Sequence, residues 1–269
     1  HGLTLQASTT TSGGYAQIGY HGSGGGEIDI HLRGGGLEMR SGIANAYVQI
    51  GHGGLGSANG SLDADISISF CEPGDLVLAA GDASNAYAQI GHGGVSRDGD
   101  LSGGVSIVGA RDITATAGNA QNAYAQIGHG GRASTGNRSG NIEVLSQGNI
   151  AFNGGSADRS YAMLGHGGHF DAGSATGDNS GSIRVQSTGG RIEFGWVAAG
   201  TSPGNEAFVQ LGHGGYNAQG SHSGDLVVLS RGNIRFRSSN STSNARAGNY
   251  AQLGHGGFDA AGSHHGDIT

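Results

Sequence analysis

Seven copies of one short run, Tyr-Ala-Gln-Ile-Gly-His-Gly-Gly or a near variant, restrict the folding of this chain more than any other feature. They begin at Tyr15, Tyr47, Tyr87, Tyr124, Tyr161, Phe208 and Tyr250, at intervals of 32 to 47 residues. Helical arrays such as tetratricopeptide repeats keep a nearly fixed period. A constant run at variable intervals instead predicts strands of fixed length joined by loops of free length.

Two further strand signals lie in each interval. The first has the form Gly-x-Ile-x-Val, as at Ile28/Ile30, Ile66/Ile68, Val105/Ile107, Ile142/Val144, Ile183/Val185 and Leu226/Val228. The second follows a Gly-containing turn, as at Leu37/Met39, Leu76/Leu78, Ile150/Phe152, Ile192/Phe194 and Ile234/Phe236, with Ile113 alone marking it in the third interval. Apolar and polar residues alternate in both, the period of a half-buried strand. No coil can bury its own apolar face, so coils must stack about 4.8 Å apart. The predicted fold is all-β: a right-handed parallel β-solenoid (β-helix) with three short strands per coil and about seven coils of 32–47 residues, in a single repetitive domain over residues 1–269. Two coils of about 20 residues per interval would be the alternative architecture.

The motif strand alternates too. Its Ala and Ile parity changes only to Val or Leu, which predicts Ala16, Ile18, Val48, Ile50, Ala88, Ile90, Ala125, Ile127, Ala162, Leu164, Val209, Leu211, Ala251 and Leu253 inside. The other parity gives a structural ladder of Tyr15, Tyr47, Tyr87, Tyr124, Tyr161, Phe208 and Tyr250 with Gln17, Gln49, Gln89, Gln126, Gln210 and Gln252. Because Met163 replaces one Gln, this parity is expected on the exposed outer face, where in-register amides and aromatics stack.

Composition narrows the function classes. Gly is 58 of 269 residues and Pro only 2, without a three-residue period, which excludes collagen. Charged residues are 12% and β-branched residues recur, which argues against disorder. Net charge is -7 and there is no basic run, so nucleic acid is not an expected partner. No apolar stretch reaches the about 18 residues of a transmembrane helix. Cys71 is the only cysteine, which excludes an internal disulfide and predicts a small buried hydrophobe behind Phe70.

The chain starts at His1 in the phase of the second strand and ends at Thr269 in that of the first, reading as a mature form or fragment. Neither end shows a cap. Open strand edges template further pairing, so head-to-tail stacking of copies, or a longer parent chain, is expected.

Segments such as Ser139-Gly140-Asn141-Ile142-Glu143-Val144 followed by Gly148-Asn149-Ile150-Ala151-Phe152 resemble the repeats of filamentous-haemagglutinin-like exoproteins, the secreted proteins of bacterial two-partner systems. The resemblance is one of repeat style and covers nearly the whole chain. It implies a right-handed parallel β-helix, export across a Gram-negative envelope to the cell surface or exterior, and fibre or adhesin roles. It supplies no catalytic residue.

The sharpest chemical feature is histidine at one register: His52, His92, His129, His166, His213 and His255, with Tyr20 taking that place before His21 in the first copy. Stacked imidazoles suggest three readings: a transition-metal column, a pH-responsive column, or a corner that hydrogen-bonds the turn backbone. No regular Cys or carboxylate accompanies them, and a closed zinc site wants four ligands. Calcium would need a regular Asp after the glycines, whereas Asp98, Asp171 and Asp259 fall at different offsets. Hence no cofactor is expected, with calcium or a histidine-bound metal as alternatives. The main irregularity, Phe194 to Phe208, holds Trp196 and a Glu206 without an evident partner. Trp196 is expected to pack on the rod rather than bind glycan. The expected function is an extracellular structural fibre or stalk. The alternatives are an adhesin binding glycan or host surface through its loops, and a β-helix polysaccharide enzyme.

Overall fold

The computed structural model describes residues 2–57, 59–171, 176–196, 203–238 and 247–269. The chain winds into an all-β parallel solenoid of about six turns, with no helix among the described residues. Strand residues sit over their repeat equivalents, with one register shift between Val108 and Ala110. The first strands pair in register along Ile28, Ile66, Val105, Ile142, Ile183 and Leu226, and Ile268 bridges to Leu226. The second strands align Leu3, Leu37, Leu76, Ile113, Ile150, Ile192 and Ile234. The motif strands align the seven residues from Tyr15 to Tyr250.

These three strand positions enclose one apolar core. Ile66, Ile68 and Phe70 point into it from the first strand, Leu76 and Leu78 from the second, Ala88 and Ile90 from the motif strand. The Ala/Ile parity of the motif lies inward throughout, part-buried only in the outermost copies at Ala16, Ile18, Ala251 and Leu253. Phe152, Phe194 and Phe236 stack in the same core.

A fourth strand position completes the coil. It is two residues long: Leu62–Asp63, Leu101–Ser102, Arg138–Ser139, Asn179–Ser180, His222–Ser223 and His264–His265. Two residues are too short to show alternation, which hides this position in the sequence. It lies just before the first strand and on the far side of the motif strand from the apolar core. A fifth pairing, Gly167–His169 with Gly214–Tyr216, occurs in two coils only.

Glycine in the motif has a geometric cause. Gly51, Gly91, Gly128, Gly165, Gly212 and Gly254 have φ between 136 and 148°, and a Cβ on Gly51 or Gly91 would lie 2.0 Å from the glycine carbonyl of the next coil. Only glycine fits that turn and that approach. The last motif glycine matters differently: a Cβ on Gly131 would meet the Tyr124 hydroxyl at 2.7 Å. The chain therefore doubles back over the tyrosines.

That return corrects the expected exposure of the ladder. Tyr87, Tyr124, Tyr161 and Phe208 are 0% exposed, as are Gln49, Gln89, Gln126 and Gln210. Only Tyr15 in the first copy is open, at 51%. The motif strand is buried on both faces. Met163 is buried as well, so it does not mark a tolerant surface position. Cys71 departs from expectation in the opposite sense: it is exposed, with a free thiol.

Side chains at the turns carry the stacking onward. Asp112 Oδ1 accepts from the backbone N–H of Asn149, and Asn149 Oδ1 from that of Arg191. Asn45, Asn85 and Asn122, all left-handed with φ near 60°, form an amide ladder ahead of the motif strand. Asparagine tolerates that backbone better than most residues. Arg159 and Glu206 hold the same backbone conformation in the next two coils, and an ion pair at 2.9 Å replaces the amide bond.

Candidate functional site

The compartment between the motif strand and the fourth strand gathers most of the buried polar chemistry. Its first element is the tyrosine column, with rings 4.7 to 5.0 Å apart. Each tyrosine hydroxyl faces the glutamine of the preceding coil: Tyr87 donates to Gln49 Oε1, Tyr124 to Gln89 and Tyr161 to Gln126, each at 3.4 Å. Each amide Nε2 except that of Gln252 in the last copy donates to two or three backbone carbonyls, as Gln126 does to His129, Gly165 and Gly167. A buried amide so engaged has no unmet bonding capacity to expose.

The one interruption is instructive. Met163 stands where Gln would accept, and the ring one coil above that would carry the donating hydroxyl is Phe208, stacked on Tyr161, which has none. Acceptor and donor of one hydrogen bond are absent together. Either change alone would strand a buried polar group, at about 1–3 kcal/mol.

The histidine column has the same logic. Rings of His52, His92, His129, His166, His213 and His255 stack at 4.7 to 5.0 Å, within 6° of parallel. Nδ1 of each accepts the backbone N–H of the residue one coil below: His92 from His52 (3.0 Å), His129 from His92 (2.9 Å), His166 from His129 (3.0 Å). The opposite nitrogen reaches the carbonyl that follows the fourth strand: His92 to Ala64, His129 to Gly103 and His213 to Gly181, at 2.7 to 2.8 Å. An Nδ1 facing an N–H carries no proton, so Nε2 carries it and donates. The rings are neutral and of one tautomer. Tyr20 stacks on His52 at 5.3 Å and its backbone N–H starts the series.

Burial and neighbouring imidazoles disfavour charging these rings. His92 is pushed down to about 2, with desolvation the main cause and His129 the next. Desolvation pushes His129 to about 4 and His213 to about 3. Desolvation and ring neighbours also set His166 well below the ordinary range. Burial raises the tyrosine hydroxyls well above theirs. Both nitrogens of each column histidine are engaged, leaving no lone pair for a metal without breaking a backbone bond. No cluster of three or more His, Cys, Asp or Glu among the described residues could hold a metal ion.

Toward the later coils the compartment changes character. The fourth-strand column runs Leu62, Leu101, Arg138, Asn179, His222, His264. Arg138 is completely buried, with its guanidinium against the Phe170 face at 5.2 Å and bonded to Asn179 Oδ1 and the Ser134 carbonyl. Desolvation lowers it to about 10. His222 sits beyond Asn179, lowered to about 4 by burial and His264.

Glu206, which has no evident partner in the sequence, binds Arg159 Nε at 2.9 Å and His169 Nε2 at 3.1 Å. Asp171 bridges Arg159 and Arg132. These partners come from different coils at irregular separations, so no spacing announces them. The His169 side chain is 1% exposed, out of reach of a substrate. Trp196 packs into the apolar core at 5% exposure and donates Nε1–H to the Gly155 carbonyl at 2.9 Å. Residues 197–202 of that irregular stretch lie outside the described residues.

The arrangement bonds coil to coil and presents no activated nucleophile on these columns. No protein-family model, no curated protein and no solved structure matches the chain.

Proposed function

We propose that the chain is a structural β-solenoid of the bacterial exterior, right-handed, whose rod serves as a fibre or stalk and stacks end to end with further coils. Right-handedness follows the strong preference of parallel β crossovers. One observation carries the reading: the buried amide and imidazole columns spend their hydrogen bonds on the backbone of adjacent coils, so what they build is the stack itself. Gln210 donates to three carbonyls, whereas Gln252 in the last motif strand reaches only that of His255. Ile234, Phe258 and Ile268 are exposed at that end, as are Tyr15 and Tyr20 at the other. Open edges of this kind pair with another strand set.

Electron microscopy with sedimentation velocity on the purified chain tests this. Filaments or end-joined rods, lengthening with concentration, are expected. Monodisperse single rods at all concentrations would remove self-assembly and leave the stalk. An adhesin role is the second reading, favoured by an arginine-lined groove on one face. A catalytic role has no comparable support, since the buried columns serve the backbone.

A further inference from the structure

The outward face of the second-strand sheet carries a trough along the rod. Three cavities of about 460, 340 and 240 Å³ open on it. The first two share Asp75 and Val77, and the last two share Arg191 and Glu193, so they form one continuous depression. Its character changes along its length. In the early coils cations are matched: Arg40 pairs with Glu38, and Arg111 with Asp75. In the middle the strands present Val77, Thr114 and Ala151, beside Asp75 and Asp112. At the late end Arg191, Arg235 and Arg237 face a single carboxylate, Glu193.

Glu193 holds Arg191 Nε at 2.9 Å and lies 3.5 Å from Arg235. Arg237 has no carboxylate within ion-pair distance among the described residues. On a chain of net charge -7 this is a local reversal of sign. The groove also has a built gap. Outward positions in this register carry Asn153 one coil below and Arg237 one coil above, but Gly195 between them has no side chain. Its floor therefore drops to Phe194 and Trp196.

We propose that this end of the trough binds an acidic polysaccharide through its carboxylate or sulfate groups. Guanidinium forks match both oxyanions with paired hydrogen bonds. Arg191 and Arg235 come from successive coils, whose Phe194 and Phe236 rings lie 5.0 Å apart, so the cations form a short row rather than one point. An open trough with hydroxyl and small apolar stretches suits an extended, sparsely charged polymer. Nucleic acid fits less well. Trp196 is too buried to stack a base, and Asp75 and Asp112 further along would repel a dense line of phosphates.

The site does not depend on fibre formation, so binding and assembly are measured separately. Wild type and an Arg235→Ser/Arg237→Ser variant are compared by biolayer interferometry on polygalacturonate, dextran sulfate, neutral dextran and duplex DNA. Light scattering and thermal melts confirm equal size and folding. Arg40→Ser, on the same face at the far end, is the control. The expected result is saturable binding to an acidic glycan, weakened by salt and about tenfold weaker in the double variant, the loss of one to two charge-assisted bonds. The polygalacturonate and dextran sulfate arms decide between carboxylate and sulfate. No acidic glycan bound, equal binding to neutral dextran, equal affinity in the double variant, or tighter arginine-dependent binding to DNA would each overturn the proposal.

Discussion

The motif strand separates two interiors built by different rules. On one side, Ile, Leu, Val, Met, Ala and Phe replace one another from coil to coil: the inward second-strand position is Met39, Leu78, Ala115, Phe152, Phe194 and Phe236 in turn. Burial there asks only for apolar volume, which the stack redistributes. On the other side, Tyr, Gln and His repeat almost unchanged, and the one Gln loss, at Met163, is matched by the one Tyr loss, at Phe208 in the next coil. A hydrogen bond has two ends, and removing one leaves the other without a partner. Shape is therefore negotiable in the first interior, and pairing is not in the second.

Acid should separate the two interiors most strongly. His92, His129 and His213 have folded values near 2, 4 and 3, below the about 6.5 of an unfolded histidine. The unfolded chain then binds more protons, so their contribution is complete above about pH 6.5 and is lost as pH falls toward those values. Each costs up to about 1.4 kcal/mol per pH unit in that window. Melting followed by circular dichroism should drop by about 10 °C or more between pH 7 and pH 5. A flat profile would show that the apolar side alone sustains the rod.

Next in size is Gln126→Leu, which strands the Tyr161 hydroxyl and leaves two glycine carbonyls short of a donor. Destabilisation of about 2–3 kcal/mol is expected. Adding Tyr161→Phe, which recreates the natural Met163 and Phe208 pairing, should return about 1 kcal/mol in a double-mutant cycle. Strict additivity of the two changes would break the pairing rule. On the apolar side, Ile127→Val should cost only about 1 kcal/mol in urea unfolding. Smallest of all is Glu38→Gln at the exposed pair with Arg40, where a shift of less than about 0.5 kcal/mol is expected; a larger one would show that this face carries stability.

Much of the stack is legible in the residues. Period-2 alternation marks Ile142/Val144 and Ile150/Phe152 as strands, and identical runs stacked in parallel must fall in register. What alternation reports is which residues share a face. It does not report what lies beyond that face. Tyr124 and Gln126 share a face correctly, yet their polarity reads as exposure, because the returning loop over Gly131 and the two-residue Arg138–Ser139 strand leave no periodic signal. A usable clue did exist: Met163 and Phe208 stand in successive copies, one coil apart, as halves of one missing bond.

The repeat by itself determined a parallel, in-register β-stack and the apolar identity of its core, because each residue can only meet its own equivalents along the axis. Tertiary structure decided that Tyr and Gln lie inside, that each column imidazole is neutral with its proton on Nε2, and that Glu206 meets Arg159 and His169. The reason is physical. Burial, tautomer and ion pairing are properties of the groups across the gap, and those come from segments whose length and order the repeat leaves free.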